Sequence, residues 1–281
     1  MDQFLIDLEV NGYAILENAL NERRVEKASK LFYEWWDANP DLKSKHAQRG
    51  IHGIMKVGEA SHQKFAWYIK TRKTVQTAFK RIWKTEDVVT SFDGCCYMSP
   101  IPMKESCWTH TDQPAKGNRC YQGFVALTEN IDRTLIVYEK SHLLHESYMK
   151  GKPDGKHWCL IDPDYLKTIE HTKRVLHIKA GSLVVWDSRC FHQNQVGVNN
   201  ETRLVQYVCF MPANDKLNTD KMHEKRVHYY ETNRMTSHWP YPLRVNGKQI
   251  HTRGDKSLLV DYKKLIPPDL RSLDTKIRNI L

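Results

Sequence analysis

The chain reads as a mainly β protein with a helical layer on its N-terminal side. Three observations point there. From about residue 87 the sequence breaks into short apolar runs separated by turn residues: VVTSFDGCCYMS, GFVALTEN, TLIVYEKSH, RVLHIKAGSLVVWD, FHQNQVGV and RLVQYVCF. Before that point the apolar residues recur at helical spacing. The 281 residues, 40% of them hydrophobic, suffice for one substantial core. The expectation is therefore one domain over residues 1–281. Residues 1–86 form the helical layer, 87–212 an antiparallel sandwich or barrel, and 213–281 a polar C-terminal extension.

Taken in order, VNGYAIL (10–16) reads as a short strand after a turn. Asn21 is placed to cap a helix running to about Ala38, with Val25, Ala28, Phe32, Trp35 and Trp36 as its apolar stripe. Asn39-Pro40-Asp41 ends it. A second helix spans Thr74 to Trp83, on Val75, Ala78, Phe79, Ile82 and Trp83. The strands follow, and Asn199-Asn200 between the last two reads as a hairpin turn. The extension is expected to be loop-rich, anchored by Trp239-Pro240-Tyr241-Pro242.

Composition narrows the class. No apolar run approaches a membrane span. MDQFLIDLEV carries acidic residues and no basic n-region, unlike a signal peptide. Seven cysteines, with no CxxC and no framework spacing, are expected as thiols in the cytoplasm. The net charge of +10 is concentrated late: residues 211–281 hold 14 basic and 8 acidic side chains. A basic surface steers anions, small or polymeric.

The chemistry centres on CWTHTDQP, residues 107–114. His110 and Asp112 are two apart, so on a strand both side chains leave the same face. The tripeptide alone means little and needs partners. SRCFHQNQ supplies His192, and eleven residues on NETRLVQYV supplies Arg203. Two imidazoles and one carboxylate on a single face of a metal leave positions open for a chelating acid and O₂, as in non-haem Fe(II) oxygenases. A guanidinium nearby matches the far carboxylate of a diacid such as 2-oxoglutarate with two parallel hydrogen bonds. A hairpin would set Arg203 beside His192, with Arg203, Val205, Tyr207 and Cys209 on one face.

Over roughly residues 8–212 the pattern resembles the phytanoyl-CoA dioxygenase family of Fe(II)- and 2-oxoglutarate-dependent oxygenases. The carriers are GYAILENAL, WTHTDQ, GFVALTENID, the SH of VYEKSH, GSLVVWDSRCFH and the Arg of ETRLVQYV. The resemblance implies a double-stranded β-helix, the jelly-roll or cupin-like core. It implies Fe(II) held by His110, Asp112 and His192, and 2-oxoglutarate held by Arg203. It also implies co-substrate contacts from Lys56, in IMKV, and from Asn194. The implied reaction hydroxylates a C–H bond of a small organic substrate, using O₂ and releasing succinate and CO₂. Asp112 argues against a halogenase, which has a small residue there.

The chain departs from the family where a Pro-Gly pair usually precedes the Ser-His. Here Glu139-Lys140 stand there, after Asp132-Arg133-Thr134 in place of a Gly-rich turn. His142 and His145 read as scaffold rather than a second metal site. Three other readings stand beside the oxygenase. A binding protein that has lost turnover would not need the full ligand set. An oxygenase of nucleic acid usually carries a second arginine six residues after the first, where this chain has Cys209. A zinc hydrolase would not need Arg203. For the substrate, the extension suggests an anion. Arg226, Arg234 and Arg244 would meet it, flanked by Tyr229, Tyr230, Trp239 and Tyr241.

Overall fold

The structure is a computed structural model that describes residues 2–49, 51–114, 117–152, 158–249, 252 and 254–281. Its strands in chain order are β1 (Tyr13–Leu16), β2 (Ile54–Met55), β3 (Val88–Thr90), β4 (Cys95–Met98), β5 (His110–Thr111) and β6 (Tyr121–Ala126). They continue with β7 (Leu135–Tyr138), β8 (Cys159–Leu160), β9 (Lys173–Val175), β10 (Leu183–Asp187), β11 (His192–Asn194) and β12 (Arg203–Pro212). All pairings are antiparallel. The larger sheet has the order β1-β10-β6-β12-β4-β2, with β3 on the far end of β12. The smaller has the order β8-β5-β11-β7-β9.

Side-chain alternation sorts the large sheet into two faces. Val184, Trp186, Phe124, Ala126, Val205 and Cys96 point inward and meet Leu135 and Val137 of the small sheet. Leu183, Val185, Val125, Leu204, Val208 and Phe210 point outward, into the helical layer. Both faces are covered, so β4 and β10 are buried throughout, and so is β7 of the small sheet, whose outer face packs on Ile161, Leu166 and Phe191.

The helical layer is richer than its sequence suggests. The expected helices are α2 (Glu22–Asp37) and α5 (Lys73–Trp83), joined by α1 (Asp2–Asn11), α3 (Pro40–Arg49) and α4 (Lys64–Lys70). Asn21 caps α2 by accepting from the amide of Arg24 at 3.1 Å, and Phe32, Trp35 and Trp36 are buried as expected. Pro40 ends one helix and starts the next, because a proline at the first helical position has no amide to waste. The first strand starts three residues later than read, since Asp2–Asn11 are helical. Gly12 makes the break with φ +83, and a Cβ there would lie 2.3 Å from Nδ1 of His142.

Two expectations are corrected. First, β11 and β12 are not a hairpin. The chain between them, with Asn200 at φ +51, carries it from the small sheet to the large one. His192 and Arg203 thus belong to opposing sheets. Period-two alternation specifies a face but not which sheet a strand joins. Second, the extension is more ordered than a polar loop. It carries α8 (Asp220–Glu231) and α9 (Asp274–Arg278), after α6 (Ser141–Met149) and α7 (Pro163–Thr168) earlier in the chain. Val260, Leu273, Ile277 and Ile280 pack into the outer core. All seven cysteines are free, and among the described residues no helix is long and apolar enough to cross a membrane.

Candidate metal centre

β5 and β11 are neighbours in the small sheet, and their register sets His110 directly opposite His192. The two rings lie 4.4 Å apart. Asp112 follows β5, its amide tied to the carbonyl of Ser188 at 3.0 Å. The carbonyls of Trp108 and Cys190 accept from the Nδ1 atoms of His110 (3.2 Å) and His192 (3.0 Å). Each imidazole is thereby held in the tautomer whose Nε2 carries the free lone pair. Those Nε2 atoms lie 3.6 Å and 3.5 Å from Oδ1 and Oδ2 of Asp112. Ligands bonded at about 2.0–2.2 Å to one ion stand roughly 3–3.5 Å apart, so the donor set fits a divalent metal. Among the described residues this is the one such cluster.

The surroundings stiffen the cluster. Gln122 Nε2 donates to Asp112 Oδ2 at 2.8 Å. Burial alone would push the Asp112 carboxyl up, but His110 and His192 hold it well below the usual carboxylate range. Burial, with His110 beside it, lowers the His192 pKa and keeps that ring neutral, as a ligand must be. Trp108, two residues before His110 and on the same face, stacks on it at 4.7 Å. His52 stacks on the other side of the indole at 4.2 Å, with planes 8° apart.

The cluster borders a cavity of about 650 Å³. Asn194 and Lys56 both line it. Asn194 is buried, and its amide nitrogen is 3.4 Å from Tyr207 Oη and 3.8 Å from Cys96 Sγ. Lys56 is exposed on the wall. Arg203 lies behind Asn194 and Tyr207, with 0% exposure. Its Nε donates to Asn130 Oδ1 (3.0 Å), Nη1 to Cys96 Sγ (3.2 Å), and Phe124 covers one face at 5.3 Å. Nη2 has no partner, and among the described residues no carboxylate pairs with the guanidinium. A buried cation without a counter-ion is costly. Contrast Arg133, also fully buried, whose Nε and both Nη atoms donate to Val196 O, Ser99 O, Ile101 O, Glu201 O and Asn200 Oδ1. The orphaned Nη2 of Arg203 fits an acid that arrives with its own charge.

The extension shapes the cavity differently from expectation. Arg226, Arg234 and Arg244 do not line it. Arg226 is buried, spending its fork on the carbonyls of Leu281 and Pro240 and on Asn218 Oδ1. Trp239 and Tyr241 pack among Val89, Cys120, Cys209 and Met211, and Tyr230 edges onto Trp67, so these aromatics dock the extension. The extension instead supplies His238, Asn246 and Gln249 as wall residues. His238 is buried and has Nε2 without a partner. Reasoning from sequence passed over His238, Gln122, His52 and Cys96. Only Trp108 had a readable signal, its i−2 spacing from His110. His142 and His145 are scaffold, as read: their Nε2 atoms donate to Glu9 O (3.1 Å) and Gln113 O (3.0 Å). Lys140 takes the left-handed φ of +64 at the start of α6.

No family model matches the chain. The Ava biosynthesis cluster protein O of Aspergillus versicolor is 26% identical over 258 residues, covering 82% of this chain and 83% of that protein. The non-heme monooxygenase ThoJ superposes with a TM-score of 0.54 at 16% identity, covering 75% of this chain and 78% of ThoJ. The epimerase SnoN, solved with Fe³⁺, alpha-ketoglutarate and nogalamycin RO, gives a TM-score of 0.52 at 14% identity over 75% of this chain and 83% of SnoN. The fold is a double-stranded β-helix. Its two facing sheets put the His-Asp-His cluster on the small sheet and Arg203 on the large one.

Proposed function

We propose that the chain is an Fe(II)- and 2-oxoglutarate-dependent oxygenase of the phytanoyl-CoA dioxygenase type, acting on a small organic substrate. The observation that carries this reading is the pairing of two incomplete sites, a donor set on the cavity wall and a buried guanidinium behind the lining residues Asn194 and Tyr207. Three metal-ligating groups converge, with both histidine Nε2 lone pairs facing the Asp112 carboxylate, and among the described residues the buried Arg203 Nη2 has no partner. A diacid chelating the metal and reaching Arg203 answers both. The solved relatives of this fold include one holding iron and alpha-ketoglutarate, which supports the same reading.

In this account His110, Asp112 and His192 hold Fe(II), and the carbonyls of Trp108 and Cys190 with Gln122 keep them aimed. Arg203 takes the distal carboxylate through Nη2, while Asn194 and Tyr207 flank the co-substrate. Lys56 approaches from the exposed wall. Bound iron lets O₂ be reduced at the expense of 2-oxoglutarate, which leaves as succinate and CO₂, and the oxidising power gained breaks a substrate C–H bond. The chain's task is to orient the reactants and exclude water. Trp186, Trp108 and Leu135 give the cavity the apolar walls that serve the second purpose. Residues 1–281 act as one domain, with the extension closing one side of the cavity, and the reduced cysteines suit the cytoplasm.

The test is succinate release from Fe(II)-loaded protein supplied with 2-oxoglutarate and O₂, against a panel of acyl-CoAs, lipids, nucleotides and small natural products. Stimulated succinate formation that disappears in Arg203→Ala supports the reading. Absence of 2-oxoglutarate consumption in any condition would reject it.

A further inference from the structure

Cys96 sits on β4 and is fully buried beside Arg203. β4 pairs with β12, so its side chain lies beside the guanidinium. Three groups converge on the sulfur. Arg203 Nη1 donates to it at 3.2 Å and Asn194 Nδ2 lies at 3.8 Å. The thiol itself points to the carbonyl of His52 at 3.5 Å. His52 is the outer member of the His52–Trp108–His110 stack, and its left-handed φ of +52 marks a backbone held in place by its surroundings.

We infer that Cys96 is a positioning residue for the co-substrate: its thiol fixes the plane of Arg203 by taking Nη1, leaving Nη2 for the distal carboxylate of 2-oxoglutarate. The inference rests on the oxygenase reading above and names a residue that reading does not require. The choice of sulfur has a reason. A guanidinium fork offers hydrogen-bond donors in a rigid plane. With Nε on Asn130 and Nη1 on Cys96, the plane is set by two neutral acceptors. Neither spends the positive charge. A carboxylate at position 96 would pair with Arg203 and compete with the incoming diacid. An apolar residue would leave Nη1 unfilled and the plane free to turn. Burial pushes the Cys96 thiol up, against the opposing pull of Arg203, so it stays neutral. The same sulfur ties the co-substrate end to the metal end through His52 and Trp108.

The experiment is calorimetric titration of 2-oxoglutarate into Ni(II)-loaded protein, for wild type, Cys96→Ser, Cys96→Ala, Cys96→Val and Cys96→Asp. Nickel affinity is measured in parallel. Losing a hydrogen bond to a charged group weakens binding by roughly ten-fold or more. Cys96→Ala and Cys96→Val are expected to raise the 2-oxoglutarate Kd by that factor with nickel affinity unchanged. Cys96→Ser restores near wild-type affinity, because a hydroxyl also accepts from Nη1. Cys96→Asp loses 2-oxoglutarate binding while keeping nickel. Valine leaves no cavity where the thiol was, so it carries the test if alanine does not fold. A Kd in Cys96→Val or Cys96→Ala equal to wild type would overturn the inference and leave Cys96 a packing residue. Wild-type protein that binds nickel but no 2-oxoglutarate would instead overturn the oxygenase reading itself.

Discussion

Replacing Arg203 with methionine separates two jobs that a buried arginine can have. If it only props up the sandwich, its loss should destabilise the protein. If it awaits an anion, the unliganded protein already bears a cost that methionine removes. Exchanging buried ionic groups for apolar ones of similar size is often neutral or stabilising. Against that gain, Asn130 Oδ1 and Cys96 Sγ lose their donor, and an orphaned buried acceptor costs about 1–3 kcal/mol. The two effects oppose, so Arg203→Met should change unliganded stability by no more than ~2 kcal/mol. The ligand response should change far more. Removing one side of a buried charged pair costs about 2–5 kcal/mol of binding, roughly 30- to several-thousand-fold in Kd. For wild type at a hundred times its Kd, 2-oxoglutarate adds about 2.7 kcal/mol of stability. In a chain of this size that raises Tm by roughly 5–10 °C. Thermal melts of nickel-loaded protein with and without 2-oxoglutarate read both quantities. The account expects little change in the unliganded Tm of Arg203→Met and a 2-oxoglutarate shift cut to roughly 3 °C or less. A large drop in the unliganded Tm with the shift preserved would refute it and make Arg203 a structural prop. Arg203→Lys should recover part of the shift, since an ammonium lacks the fork.

Two further outcomes follow from the same geometry. Gln122→Leu removes the 2.8 Å hydrogen bond to Asp112 and should weaken metal binding about 10- to 100-fold, measured by competition with a chromophoric chelator; unchanged affinity would remove Gln122 from the site. Lys70 is fully buried, donates to Ser91 O at 3.1 Å, and burial lowers its pKa from 10.5 to about 7. Between those values the unfolded chain holds the proton that folded Lys70 has given up, so this group makes stability rise with pH from about 7 to about 10.5. Urea unfolding of wild type and Lys70→Met across that range should show the rise only in wild type, and parallel curves would contradict it.

Much of the fold was legible because both faces of the large sheet, and of β7 in the small one, are buried, which writes itself as apolar runs such as LVVW and LIVY. The candidate metal cluster was legible because residue type and spacing survive without knowledge of the path between them. Their three-dimensional relation was not. The turn before Arg203 changes sheets, and no local signal separates that from a hairpin. Charge was the weakest guide. Arg226 counts as one unit of basic surface in the composition, yet it lies inside the protein filling carbonyls. His238 and Cys96 carry no motif. Each matters through what surrounds it, and sequence spacing says nothing of that.

The central claim is that one cavity holds both a His-Asp-His metal and a 2-oxoglutarate chelated to it. Anaerobic titration of 2-oxoglutarate into Fe(II)-loaded protein tests it directly, because chelation gives a visible metal-to-ligand charge-transfer band. The account predicts a saturable band with one site per chain in wild type, and none in His110→Ala or His192→Ala at any 2-oxoglutarate concentration. Wild-type protein that binds iron without developing the band, or histidine variants that keep it, would contradict the claim.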